Sequence, residues 1–104
     1  MAYEVVYKIR FRKKLITLLE YLELNWGEKI ASEFLDKLES RIQRLSNQPY
    51  TGIASRKMPS VRSVFITYQN RLFYRIKGQK IEILNLYDTR MNPRKNPFIQ
   101  GLQK

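Results

Sequence analysis

Within each strand-like stretch from Val61 to Arg90, the charged residues all occupy one phase of a two-residue alternation, and the other phase carries none. Strand side chains point alternately to opposite faces, so this pattern commits the segment to a sheet with one charged side and one neutral side. Three strands are expected, roughly Val61 to Tyr68, Arg71 to Lys77 and Lys80 to Arg90, joined by tight turns at Gln69-Asn70 and Gly78-Gln79. Ser63, Phe65, Thr67, Leu72, Tyr74, Ile76, Ile81, Ile83, Asn85 and Tyr87 then form the neutral side. Arg62, Arg71, Arg75, Lys77, Lys80, Glu82, Asp88 and Arg90 form the other, with Val64, Ile66, Tyr68, Phe73, Leu84 and Leu86 among them. Two-residue turns also set Arg75 opposite Glu82, a cross-strand ion pair.

The rest of the chain supplies what covers the neutral side. Tyr3, Val5, Tyr7 and Ile9 alternate with Glu4, Val6, Lys8 and Arg10, which predicts a first strand with the same division of charge. Phe11, Leu15, Leu18, Leu19 and Leu22 recur at helical spacing, giving a helix from about Arg12 to Leu24. Ile30, Ala31, Phe34, Leu35, Leu38, Ile42 and Leu45 give a second, from about Trp26 to Leu45, with Asn25 and Glu28 as its expected cap and reciprocal acid. Asn47 to Ser60, with Pro49, Gly52 and Pro59, reads as a loop that adds Arg56 and Lys57 to the basic surface if it folds over it. The expected architecture is α+β, in the order β-α-α-β-β-β, with a helical hairpin packed on one face of a largely antiparallel four-stranded sheet. Residues 1–91 form the domain, and residues 92–104 a basic tail whose Pro93 and Pro97 oppose regular structure.

Composition narrows the chemistry. The 104 residues suffice for one core, and cysteine and histidine are both absent. Disulfides, thiol nucleophiles, the usual zinc ligands and the commonest general base go with them, so no metal or cofactor is expected. The net charge of +11 is uneven: residues 53–104 hold eleven Lys/Arg against two Asp/Glu, whereas residues 1–52 hold nine against seven. Such a field draws phosphate backbones, anionic lipid or acidic protein. No basic amphipathic helix is confined to an end, which disfavours lipid, no apolar run approaches the length of a membrane span, and the N-terminus lacks an export-signal pattern, so a cytoplasmic protein without a membrane partner is expected.

The pieces Phe34-Leu35-Asp36-Lys37-Leu38, Asn47-Gln48-Pro49, Gly52, Val61-Arg62, Arg71-Leu72-Phe73-Tyr74-Arg75-Ile76, Ile81-Glu82-Ile83-Leu84 and Asp88-Thr89-Arg90 together resemble the RelE/ParE superfamily of bacterial toxins from type II toxin–antitoxin systems. The likeness runs over about residues 3–97, with Arg71 to Tyr74 its best single marker. It implies a toxin neutralised by a cognate antitoxin within a hetero-oligomer, growth inhibition, and a role of the plasmid-stabilization kind. Two activities occur in the superfamily. RelE-like members cut messenger RNA on the ribosome, and ParE-like members bind and poison DNA gyrase.

Cutting RNA without a metal requires a proton acceptor, stabilisation of the phosphorane and a donor to the leaving oxygen. Arg62, Arg71 and Arg90 suit the phosphate, and Lys77 or Lys80, with its pKa lowered among like charges, would serve as base. Tyr68 would donate. Against this stand Arg62 and Val64 where the ribonuclease branch tends to carry two lysines, and the absence of any tyrosine or histidine after Tyr87. The long helix pair, the Asn47 to Gly52 passage and the closing Asp88-Thr89-Arg90 look more like the ParE branch. The expectation is therefore a ParE-like toxin that binds its target through Arg62, Arg71, Arg75, Lys77, Lys80 and Arg90. A metal-independent endoribonuclease using Arg62, Arg71, Arg90, Lys80 and Tyr68 is the alternative, and a non-catalytic nucleic-acid-binding domain, with strongly salt-dependent affinity, a further one.

Overall fold

A computed structural model describes residues 2–89; Arg90 and the segment 92–104 lie outside the described residues. The chain begins with β1 (Glu4–Tyr7), α1 (Ile9–Trp26) and α2 (Glu28–Asn47). A 3-10 turn at Pro49–Thr51 leads to β2 (Ile53–Ala54), then β3 (Val61–Thr67), β4 (Asn70–Lys77) and β5 (Lys80–Asp88). The strands form one sheet in the order β1-β5-β4-β3-β2, with β1 parallel to β5 and the other neighbours antiparallel. The expected α+β architecture is present, with one strand more than expected. β2 arises inside the stretch read as a loop, where Ile53 and Ala54 pair with Ser63 and Arg62.

The hairpin of helices turns on Gly27, whose φ of 93° only glycine adopts without strain. Its N–H donates to the Glu23 carbonyl at 3.0 Å and its carbonyl accepts the Ala31 N–H at 3.3 Å, so one residue ends α1 and starts α2. Asn25, expected as the second helix's cap, instead lies in the last turn of α1 and donates its amide to the Tyr21 carbonyl at 2.8 Å. The first helix starts earlier than expected because Lys8, still extended, accepts the Arg12 N–H at 3.1 Å.

Both helices lie on one side of the sheet. Phe11, Leu18, Leu22, Phe34, Leu38, Ile42 and Leu45 meet Val64, Leu72, Tyr74, Ile81, Ile83 and Leu86 in one buried cluster. Each such side chain contributes about 1.5–3 kcal/mol when fully removed from water, so this layer dominates the stability of the fold. A smaller cluster of Val61, Phe73 and Tyr87, with Leu84 beside it, sits on the other side. Among the described residues no helix is long and apolar enough to cross a membrane.

The simple alternation fails in two places, and both failures are bulges. The first turn falls at Tyr68-Gln69, since Thr67 pairs with Asn70, one residue before the expected break. That displacement alone preserves which side each residue takes. One extra residue between Phe65 and Thr67 then moves the register so that Val64 pairs with Leu72 and Arg62 with Tyr74. A one-residue slip exchanges the two faces of a strand. Arg62, Val64 and Ile66 therefore share the helix side, while Val61, Ser63 and Phe65 take the far side with Arg71 and Phe73, the reverse of the expected division. In β5 the register shifts between Phe73 and Tyr74, which pair with Asn85 and Ile83. Leu86 and Asp88 are carried to the helix side, and Asn85 and Tyr87 to the far one.

Candidate target-binding surface

Arg71 is the centre of the far side. Its Nη2 donates to Ser63 Oγ at 3.0 Å, and its guanidinium lies 5.1 Å from the Phe65 ring centroid and 5.7 Å from that of Phe73. The cation thus lies over two aromatic rings, each contributing about 0.5–1 kcal/mol. Its Nε is enclosed and has no hydrogen-bond partner. Phe65 remains half exposed, so the arginine and this ring offer a joint cationic and aromatic surface.

Arg75 is committed differently. Its Nε and Nη2 both donate to Glu82 Oε1, at 2.8 and 2.6 Å, as the cross-strand pairing predicted. Lys8 adds its Nζ 3.4 Å from Glu82 Oε2. Hydrogen bonding from Arg75 is the main reason the Glu82 carboxyl titrates below the ordinary carboxylate range; burial opposes it, and the charges of Arg75 and Lys8 reinforce it. Lys77 and Lys80 face each other across the Gly78-Gln79 turn and are exposed. Lys77 lies six residues along β4 from Arg71, a span of roughly 20 Å.

Two expected members are elsewhere. Arg62 lies on the helix side at the sheet's edge, where its Nη1 donates to the Gly52 carbonyl at 2.8 Å and to the Tyr50 carbonyl at 3.4 Å. Its guanidinium stacks 5.1 Å over the Tyr50 ring. Tyr68 is in the turn rather than in β3 and is 85% exposed. Beneath it the Thr67 hydroxyl donates to Asn70 Oδ1 at 2.5 Å, the Gln69 N–H donates to Thr67 Oγ1 at 3.2 Å, and the Asn70 amide donates to Asp88 Oδ2. Arg90 lies outside the described residues. The far side thus brings together Arg71, Arg75, Lys77 and Lys80 of the expected set, with Lys77 and Lys80 at the opposite end from Arg71.

Ser63, Phe65 and Lys8 were not foreseen as members. Lys8 was legible, because the first strand's alternation already placed it with the charged residues. Ser63 and Phe65 were not, since only the bulge beyond Phe65 turns them toward Arg71.

A family model described as the ParE toxin of type II toxin–antitoxin systems, parDE, matches residues 5–93. Among solved structures, the chromosomal ParDE system from P. aeruginosa superimposes with a TM-score of 0.72 at 15% identity, covering 84% of this chain and 96% of that one. The RelBE2 toxin–antitoxin complex from Mycobacterium tuberculosis gives 0.61 at 21% identity, covering 85% and 99%. The YoeB/ParE toxin from Agrobacterium tumefaciens gives 0.59 at 16% identity, covering 82% and 97%. At these identities the superpositions establish a shared fold. No sequence among the curated proteins matches the chain.

Proposed function

The chain belongs to the ParE toxin family of type II toxin–antitoxin systems, and from that premise we propose that it arrests growth by binding a protein target, DNA gyrase, and is neutralised by a cognate antitoxin. The observation that carries this reading is the separation of the cations a nuclease would need together. Arg62 is bound to backbone carbonyls on the side of the sheet opposite Arg71. Lys80 is at the far end of the sheet from Arg71, and Tyr68 caps a turn. Acid–base cleavage needs its donor and acceptor within hydrogen-bond reach of one phosphate. A binding surface has no such requirement: a stacked arginine beside a half-exposed phenylalanine, with lysines further along, suits a broad protein contact.

Of the far-side cations, Arg71, Arg75, Lys77 and Lys80 are the proposed target-binding set, with Arg71 and Phe65 at its centre. Purified protein is expected to inhibit DNA supercoiling by gyrase at near-stoichiometric ratios and to leave ribosome-bound message intact. Undisturbed supercoiling together with discrete cuts in that message would replace this reading with the ribonuclease one.

A further inference from the structure

Across the sheet from Arg71, at the corner where α2 meets β3 and the 3-10 turn, lie two arginines whose charges reach the Tyr74 phenol. Arg62 spends Nη1 on the Gly52 and Tyr50 carbonyls. Arg41, in the penultimate turn of α2, has an enclosed Nε with no partner. Arg62 pairs with Tyr74 on the helix side of the sheet, and the charge of each arginine favours ionisation of the Tyr74 phenol against the burial that opposes it. Among the described residues neither arginine has a carboxylate partner, although two like charges in one corner repel and an enclosed unpaired donor is costly. An anion supplied from outside removes both penalties, and the guanidinium fork suits a carboxylate.

The neighbouring edge selects what carries that carboxylate. β2 is the last strand of the sheet, and among the described residues nothing pairs with its outer side. Ala54 pairs with Arg62 and so shares its side, whereas Ile53 pairs with Ser63 on the other and is 67% exposed. A strand added there points alternate side chains to the two faces. We propose that this edge binds an extended peptide segment of alternating acidic and aliphatic residues, its carboxylates held by Arg62 and Arg41 and its aliphatic side chains lying beside Ile53. A phosphodiester chain would use the arginines but neither the strand edge nor the isoleucine, which is why the peptide is favoured. The site does not depend on the gyrase reading; only the identity of the segment's owner, an antitoxin, rests on the toxin assignment.

The test titrates the full chain with a fluorescent eight-residue peptide of alternating Glu and Val. Binding is expected, and Arg41→Gln weakens it by roughly tenfold, while Arg71→Gln, which removes the same charge on the other side, changes it by less than about twofold. Equal losses in the two variants, or no binding to the unaltered chain, overturn the proposal. So does displacement of the peptide by oligothymidylate of equal length with the same dependence on Arg41. Independently of any variant, the peptide is expected to shift the Arg41 Nε–H resonance and slow amide exchange in β2; bound peptide that leaves both unchanged also overturns it. Loss of peptide binding with gyrase inhibition intact would refute this site alone.

Discussion

The Tyr74 hydroxyl accepts the Gly52 N–H at 3.0 Å and donates to the Pro49 carbonyl at 2.6 Å, so a buried residue of the central sheet holds the chain at its exit from the second helix. The approach is close enough to exclude any side chain at position 52. A Cβ there would lie 2.8 Å from Tyr74 Cε1 and 2.9 Å from the Ser63 carbonyl oxygen. The same contact fixes the carbonyl to which Arg62 donates. Tyr74 thus links the core to the arginine corner.

Gly52→Ala is expected to destabilise the domain by about 2–4 kcal/mol through overpacking against backbone and a buried ring. Tyr74→Phe leaves the Gly52 N–H and Pro49 carbonyl without their partner and costs about 1–3 kcal/mol. Urea denaturation measures both. An unchanged midpoint for Gly52→Ala would show that the Pro49 to Gly52 turn is free to move away from Tyr74.

Stability should fall on the acid side through Glu82. Its folded carboxyl is held below the ordinary value near 4.5, chiefly by Arg75, so its contribution is present above that value and is lost as pH drops through the lowered one. With Arg75 and Lys8 partly exposed, the contribution is about 1 kcal/mol. Glu82→Gln is expected to lower stability at pH 7 by that amount and to flatten the acid limb of the denaturation profile. An acid limb identical to that of the unaltered chain would remove Glu82 from this role.

On the alkaline side Tyr74 and Tyr87 act together. Burial raises both phenols above 10.0; hydrogen bonding from Gly52 and the charges of Arg62 and Arg41 partly offset it at Tyr74, whereas the Asp88 charge adds to it at Tyr87. The unfolded chain ionises first, so stability is full below pH 10 and declines as pH rises through the raised values. Tyr74→Phe, less stable at neutral pH, should show a shallower decline. Ultraviolet difference titration should find two phenols that ionise late and appear at the ordinary pH once urea is added.

Arg71→Ala is expected to abolish growth arrest while the domain stays folded, because the loss removes about 1–2 kcal/mol of ring and hydroxyl contacts and leaves the helix-side core intact. Growth curves, paired with circular dichroism of the purified variant, measure the two effects separately. Full toxicity of a soluble Arg71→Ala protein would exclude this side chain from target contact.

The local pattern determined the element order, the helical hairpin, the segregation of charge along β4 and the facing of Arg75 and Glu82, because each depends on periodicity or on a short turn. The alternation also placed Lys8 with the charged residues, but its position beside Glu82 came from the pairing of β1 with β5. The bulges at Ile66 and Leu84 were decided only in the folded sheet, where burying Val64 and Leu86 under the helices outweighs an unbroken hydrogen-bond ladder. The first of these sent Arg62 to one side and brought Ser63 and Phe65 to Arg71 on the other. Two-residue alternation records which side chains differ in facing within an unbroken strand; it carries no sign of where pairing with a neighbouring strand will skip a residue, since that choice is made by contacts between segments distant in sequence.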